Sequence, residues 1–66
     1  MIKIESIIDE SKIQIGDVIR KNTFIAKVMN IDNKHIRTVF KLEGIGNNNI
    51  YECSIQELIC GTIENR

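Results

Sequence analysis

Lys27, Lys34, His35, Arg37 and Lys41 place four permanent cations and the only histidine within a stretch of fifteen residues. A group of this kind attracts anionic surfaces. An imidazole such as that of His35 has the chemistry for proton transfer. Nucleophilic catalysis would also need a Ser or Cys and an orienting acid beside it, and the charged residues near it in sequence are instead Lys34 and Arg37. Cys53 and Cys60 lack the spacing and the partners of a zinc site, and two cysteines are too few for a disulfide framework. They read as small apolar residues. Asp17 and Glu57 are a conceivable acid–base pair, but each has a structural reading, in a turn and in a helix cap. Gly44-Ile45-Gly46 has neither the third glycine nor the following helix of a phosphate-binding loop. The residues therefore predict no catalytic centre, no metal site and no cofactor. The predicted binding residues are Lys27, Lys34, His35, Arg37 and Lys41.

The charges are segregated although the chain is neutral overall. Residues 20–41 carry Arg20, Lys21, Lys27, Lys34, Arg37 and Lys41 against Asp32 alone, a local charge of +5. Residues 1–19 sum to −2 and residues 42–66 to −3. Balance between neighbouring strands explains this without any function. A basic hairpin that meets an acidic partner explains it as well. Nucleic-acid modules add exposed aromatics for base stacking, and here Tyr51 is the only tyrosine, with no tryptophan.

The elements that would carry these residues are short strands. Isoleucine dominates the apolar set, and its branched Cβ favours a pleated surface. Ile2 and Ile4 alternate with Lys3 and Glu5 as a half-buried strand. Residues 5–11 fit either a first strand or one helical turn. Gly16-Asp17 bends the chain before Val18-Ile19 resumes it, and Arg20-Lys21-Asn22 is a turn. Thr23 to Ile31 is the longest β-like run. Phe24, Ala26 and Val28 fall on one face, and Ile25, Lys27, Met29 and Ile31 on the other. Asp32-Asn33-Lys34 reads as a tight connection into a strand from His35 to Glu43. On that strand Ile36, Thr38, Phe40 and Leu42 face inward. His35, Arg37, Val39, Lys41 and Glu43 face outward.

Gly44 to Asn49 is a flexible loop, and Ile50 to Cys53 is a strand. Ser54-Ile55-Gln56-Glu57 has the pattern of a capping box, predicting a single 3₁₀ turn before a last strand at Ile59 to Ile63. Glu64-Asn65-Arg66 reads as a frayed tail. The predicted core is Phe24, Val28, Phe40 and Leu42, joined by Ile15, Ile19 and Leu58.

With 66 residues the chain makes one domain, spanning 1–66. A domain of this size buries only roughly 60% of its unfolded surface. That leaves little room for an enclosed pocket, so function is expected on a surface, an edge or an oligomer interface. No run is apolar enough to cross a membrane, and the N-terminus lacks a secretory pattern. No Asn-x-Ser/Thr sequon occurs. The expected location is the cytoplasm.

A Gly-Asp-Val-Ile start at residues 16–19, a long hairpin, a loop, and a strand passing through one short turn into a last strand together resemble the SH3-like small barrels. The resemblance spans residues 13–63 and implies an all-β fold, a small five-stranded SH3-like barrel. Val28 to Asn33 followed by Ile36 faintly resembles the first motif of the Sm-like barrels. The aromatic slots for Pro-rich peptides are missing, as is the Tudor aromatic cage. Stand-alone barrels of this length resemble small accessory proteins of bacteria and phages, including inhibitors of host enzymes. The expected function is thus a non-enzymatic module that docks on a larger protein with an acidic surface. Two alternatives stand beside it: RNA or DNA binding through the basic hairpin, and small-molecule sequestration between the subunits of a homo-oligomer.

Overall fold

The computed structural model describes the whole chain, Met1 to Arg66. Strand β1 is Ile2–Lys3, followed by a 3₁₀ helix at Ile7–Lys12. Strands β2 (Val18–Lys21), β3 (Phe24–Asn33), β4 (Thr38–Gly44) and β5 (Ile50–Cys53) come next. The helix α1 (Ile55–Leu58) leads into β6 (Thr62–Ile63). The all-β class is as expected. The strands form one antiparallel sheet in the order β1-β6-β2-β3-β4-β5. There are six strands rather than five, because Ile2 and Lys3 pair with Ile63 and Thr62. The sheet is not closed, and β1 and β5 are its two edges.

The turn before the last strand is α-helical rather than 3₁₀, since the Ile59 amide reaches back four residues to the Ile55 carbonyl at 3.1 Å. Its capping pair is Ser54 and Glu57. The Ser54 amide donates to Glu57 Oε1 at 3.0 Å, and the Ser54 hydroxyl donates to the same oxygen at 3.4 Å. The Glu57 amide bonds the Ser54 carbonyl at 3.1 Å, and Ser54 and Glu57 form the reciprocal capping box that the sequence predicts.

The 3₁₀ geometry appears instead at Ile7–Lys12. There Asp9 turns back on the chain entering the helix, accepting from the Glu5 amide at 2.7 Å and the Ser6 amide at 3.2 Å. Lys12 pairs with the same carboxylate at 3.0 Å. These bonds hold the Asp9 carboxyl below its ordinary value, the Glu5 amide contributing most.

The core joins Ile4, Ile13, Ile19, Ala26, Val28, Phe40, Leu42, Ile55, Leu58 and Ile63. Phe24, placed at the centre by its pattern, lies at the rim and packs edge-on against Tyr51, with ring centroids 5.0 Å apart. Ile15 is 63% exposed. Gly16 at φ +95° turns the chain there, and Ile13 takes the buried position.

A bulge between Val28 and Asn30 changes the parity of β3. Val28 pairs with Leu42, but Asn30 pairs with Lys41 and Ile31 with Phe40. Ile31 therefore joins the core side, against strict alternation, and Met29 is the extra residue. The C-terminal segment is not frayed. Val18 donates to Asn65 Oδ1 at 3.0 Å, and Arg66 pairs with the buried Asp17. No helix is long and apolar enough to cross a membrane.

Candidate functional site

All five predicted binding residues are exposed, but they do not form one strand face. Strand β3 runs on to Asn33 and β4 starts only at Thr38, so residues 34–37 make the hairpin tip. Lys34, His35 and Arg37 belong to that tip, whereas Lys27 and Lys41 stand on the outer face of the sheet. The expectation that Arg37 and Lys41 share a strand face fails because residues 34–37 leave the ladder. Ile36, assigned to the core by the same alternation, is 88% exposed at the tip.

The hairpin gathers three of the four cations on one groove of about 370 Å³. Lys34, Arg37 and Lys41 line it, together with Asp32, Glu52 and the apolar Ile36 and Val39. The register explains the grouping. Asp32 stands opposite Val39, and Lys41 lies between Asn30 on β3 and Glu52 on β5. Lys27 is not part of the groove, and its cross-strand neighbour is Glu43. His35 faces a second shallow groove of about 340 Å³, shared with Glu10, Ser54 and Gln56. Ile7 and Ile36 provide its apolar edges.

The electrostatics are mixed rather than uniformly basic. Lys34 pairs with Asp32 at 3.4 Å, both side chains being more than half exposed, so the bond contributes little and opens readily. Lys27, Arg37 and Lys41 make no ion pair. The tip is therefore cationic, while the adjoining sheet alternates Lys27 with Glu43 and Lys41 with Glu52. Balance between neighbouring strands thus accounts for Lys27 and Lys41 better than for Arg37. Tyr51 is half-buried against Phe24, and its hydroxyl lies within bonding reach of Asn47 and Asn49.

The other candidates have structural partners. Asp17 is 3% exposed and accepts from the Gln14 amide at 2.8 Å and from Arg66 at 3.1 Å. Glu57 is engaged with Ser54. The Cys53 thiol is pushed up by burial and by the nearby Glu57 charge, with Lys21 opposing weakly. Cys60 is exposed and adopts φ +77°.

The sequence reading missed the apolar component of the surface. Ile7, Ile8 and Ile36 are all exposed, and Ile7 and Ile36 flank the cationic tip. The only signal for Ile36 was its position between His35 and Arg37, which a continuing strand pattern concealed. Comparison with family models, curated proteins and solved structures returned no match.

Proposed function

We propose that the protein is a non-enzymatic cytoplasmic binding module that docks, through the tip of the β3–β4 hairpin, on a larger protein with an acidic surface and modulates or inhibits it. The observation that carries this reading is the convergence of Lys34, Arg37 and Lys41 on one groove beside the bare side chain of Ile36. Arg37 and Lys41, which make no ion pair, and Lys34, whose exposed pair with Asp32 opens readily, surround an exposed apolar residue and suit an interface with an apolar centre and a polar rim. The architecture fits the same reading. Strands β2 to β5 form a meander and β6 returns to pair with β2, which we read as an SH3-like barrel left open between β1 and β5.

Co-purification of the tagged protein from its native cell, with nuclease treatment in parallel, tests the proposal. A protein partner that resists nuclease and is lost in the Arg37→Glu/Lys41→Glu variant supports it. Retention of that partner by the variant removes the tip from the interface. Loss of the whole signal on nuclease treatment replaces protein with nucleic acid, and affinity should then fall steeply with salt.

A further inference from the structure

We propose that the free edge of β5 pairs with the β5 of a second copy of this chain, giving a two-fold dimer with one continuous sheet. The hydrogen-bond phase of the sheet leads to this edge. Gly44 donates to the Asn49 carbonyl at 2.8 Å, and Ile45 donates to the Ile25 carbonyl at 3.0 Å. In an antiparallel ladder, bonded and non-bonded pairs alternate. On β4 the even residues therefore bond to β5 and the odd ones to β3. Leu42–Tyr51 and Phe40–Cys53 are the bonded pairs of the β4–β5 ladder, and Glu43–Ile50 and Lys41–Glu52 are not. The amides and carbonyls of Ile50 and Glu52 consequently point away from β4, along the open edge.

The other open backbone is less available. Strand β1 has only two residues. On β3, beyond its pairing with β2, the Ile31 amide is already taken by its neighbour Asn30, whose Oδ1 accepts it at 2.9 Å. No comparable side chain covers β5, and Ile50 is 57% exposed.

The edge is complementary to itself in one register. Setting Ile50 opposite the second copy's Glu52 uses both outward-facing residues of each strand, and each such pair exchanges two backbone hydrogen bonds. Tyr51 then falls on the two-fold axis opposite its own copy. Glu52 lies between Lys41 of its own sheet and an isoleucine of the other copy, so no carboxylate meets a carboxylate. The register that places Glu52 opposite Glu52 is disfavoured by like charge. The chain has no net charge, so two copies do not repel at long range. A four-residue strand makes a small interface, and dissociation is expected in the micromolar-to-millimolar range.

The test is sedimentation equilibrium of the purified chain across that concentration range, with three variants whose thermal midpoints are checked. Wild type should show a monomer–dimer equilibrium. Ile50→Lys should tighten it, because the new cation faces the second copy's Glu52. Ile50→Glu should weaken it about fivefold or more, since each dimer contains the altered pair twice. Glu52→Pro removes an edge amide that β4 does not use and should leave a folded monomer. A wild-type protein that stays monomeric throughout the range overturns the proposal. So does a dimer that persists in folded Glu52→Pro, or one that responds alike to Lys and Glu at position 50. The Lys34→Glu/Arg37→Glu tip variant should dimerise normally, which separates this edge from the hairpin surface.

Discussion

Arg66 Nη2 lies 3.1 Å from the carboxylate of Asp17, bonding the last residue of the chain to a buried acid 49 positions earlier. Arg66 also donates to the Lys12 carbonyl, so one guanidinium joins the C-terminal segment to both ends of the loop before β2. Asp17 keeps the Gln14 amide when the arginine is removed. Arg66→Ala should therefore cost about 1–3 kcal/mol, the range for leaving a buried polar group short of a partner. Chemical denaturation of the variant measures it.

Phe40 and Phe24 should respond differently to truncation, since only Phe40 is fully buried. Phe40→Ala should cost about 3–5 kcal/mol, close to the whole stability of so small a domain. Phe24→Ala should cost about 1–2 kcal/mol, mostly its partial burial and the edge-on contact with Tyr51. Equal losses in denaturant midpoint would contradict this division of core and rim.

Gly61 and Cys60 make an opposed pair of substitutions. A Cβ on Gly61 would stand 2.9 Å from the Leu58 carbonyl oxygen and 3.0 Å from that of Arg20. Both are backbone atoms, so Gly61→Ala should destabilise by about 1–3 kcal/mol. Cys60 holds φ +77°, where a Cβ is costly, and Cys60→Gly should stabilise by about 1 kcal/mol. Thermal midpoints of the two variants should move in opposite directions.

Asp9 sets an acid limit on the 3₁₀ helix. Its carboxyl is held below the ordinary 3.8 by the Glu5 amide, Lys12 and the Ser6 amide. A group with a lowered folded value stabilises above its unfolded value and loses that contribution as the pH falls through the folded one. The Asp9 contribution should be complete above about pH 5 and fade below about pH 4. Thermal midpoints of wild type and Asp9→Asn should accordingly differ at neutral pH and converge in acid.

The two cysteines should be distinguishable by a thiol reagent at neutral pH. Cys60 is exposed, while burial and Glu57 keep the half-buried Cys53 in its thiol form. Mass spectrometry should find Cys60 labelled first. Cys53 should react mainly after denaturation.

Local pattern was enough to place most of the strands, because the buried Ile19, Ala26, Val28, Phe40 and Leu42 lie in β-branched, apolar-rich runs interrupted by Arg20, Lys27, Lys41 and Glu43. The β-class was legible for the same reason, and the turn after Ser54 was legible from its capping pattern, though as 3₁₀ rather than α. What failed depended on single residues that break alternation without changing composition. Met29 is an ordinary strand residue by type, yet as the bulge it brings Ile31 inward. Residues 34–37 contain no glycine or proline, so nothing local marked Ile36 as leaving the strand. Arg66 looked like a polar end, and only tertiary folding brings Asp17 beside it. As for the site, the residue types were readable. Their split between tip and sheet, and the interleaving with Glu43 and Glu52, follow from register.

Met29 has a geometric consequence for the tip. From Val28 to Ile31 strand β3 spends four residues where β4 spends three, Leu42 to Phe40. One strand residue is about 3.3 Å of contour. Two ribbons of unequal length bonded along their margins must curve, with the longer one on the outer arc. The far end of the hairpin is therefore carried out of the plane of the remaining sheet by one surplus residue. The pairs on either side of Met29 would survive its deletion. That change would alter where Lys34 and Arg37 stand in space while leaving their own chemistry untouched.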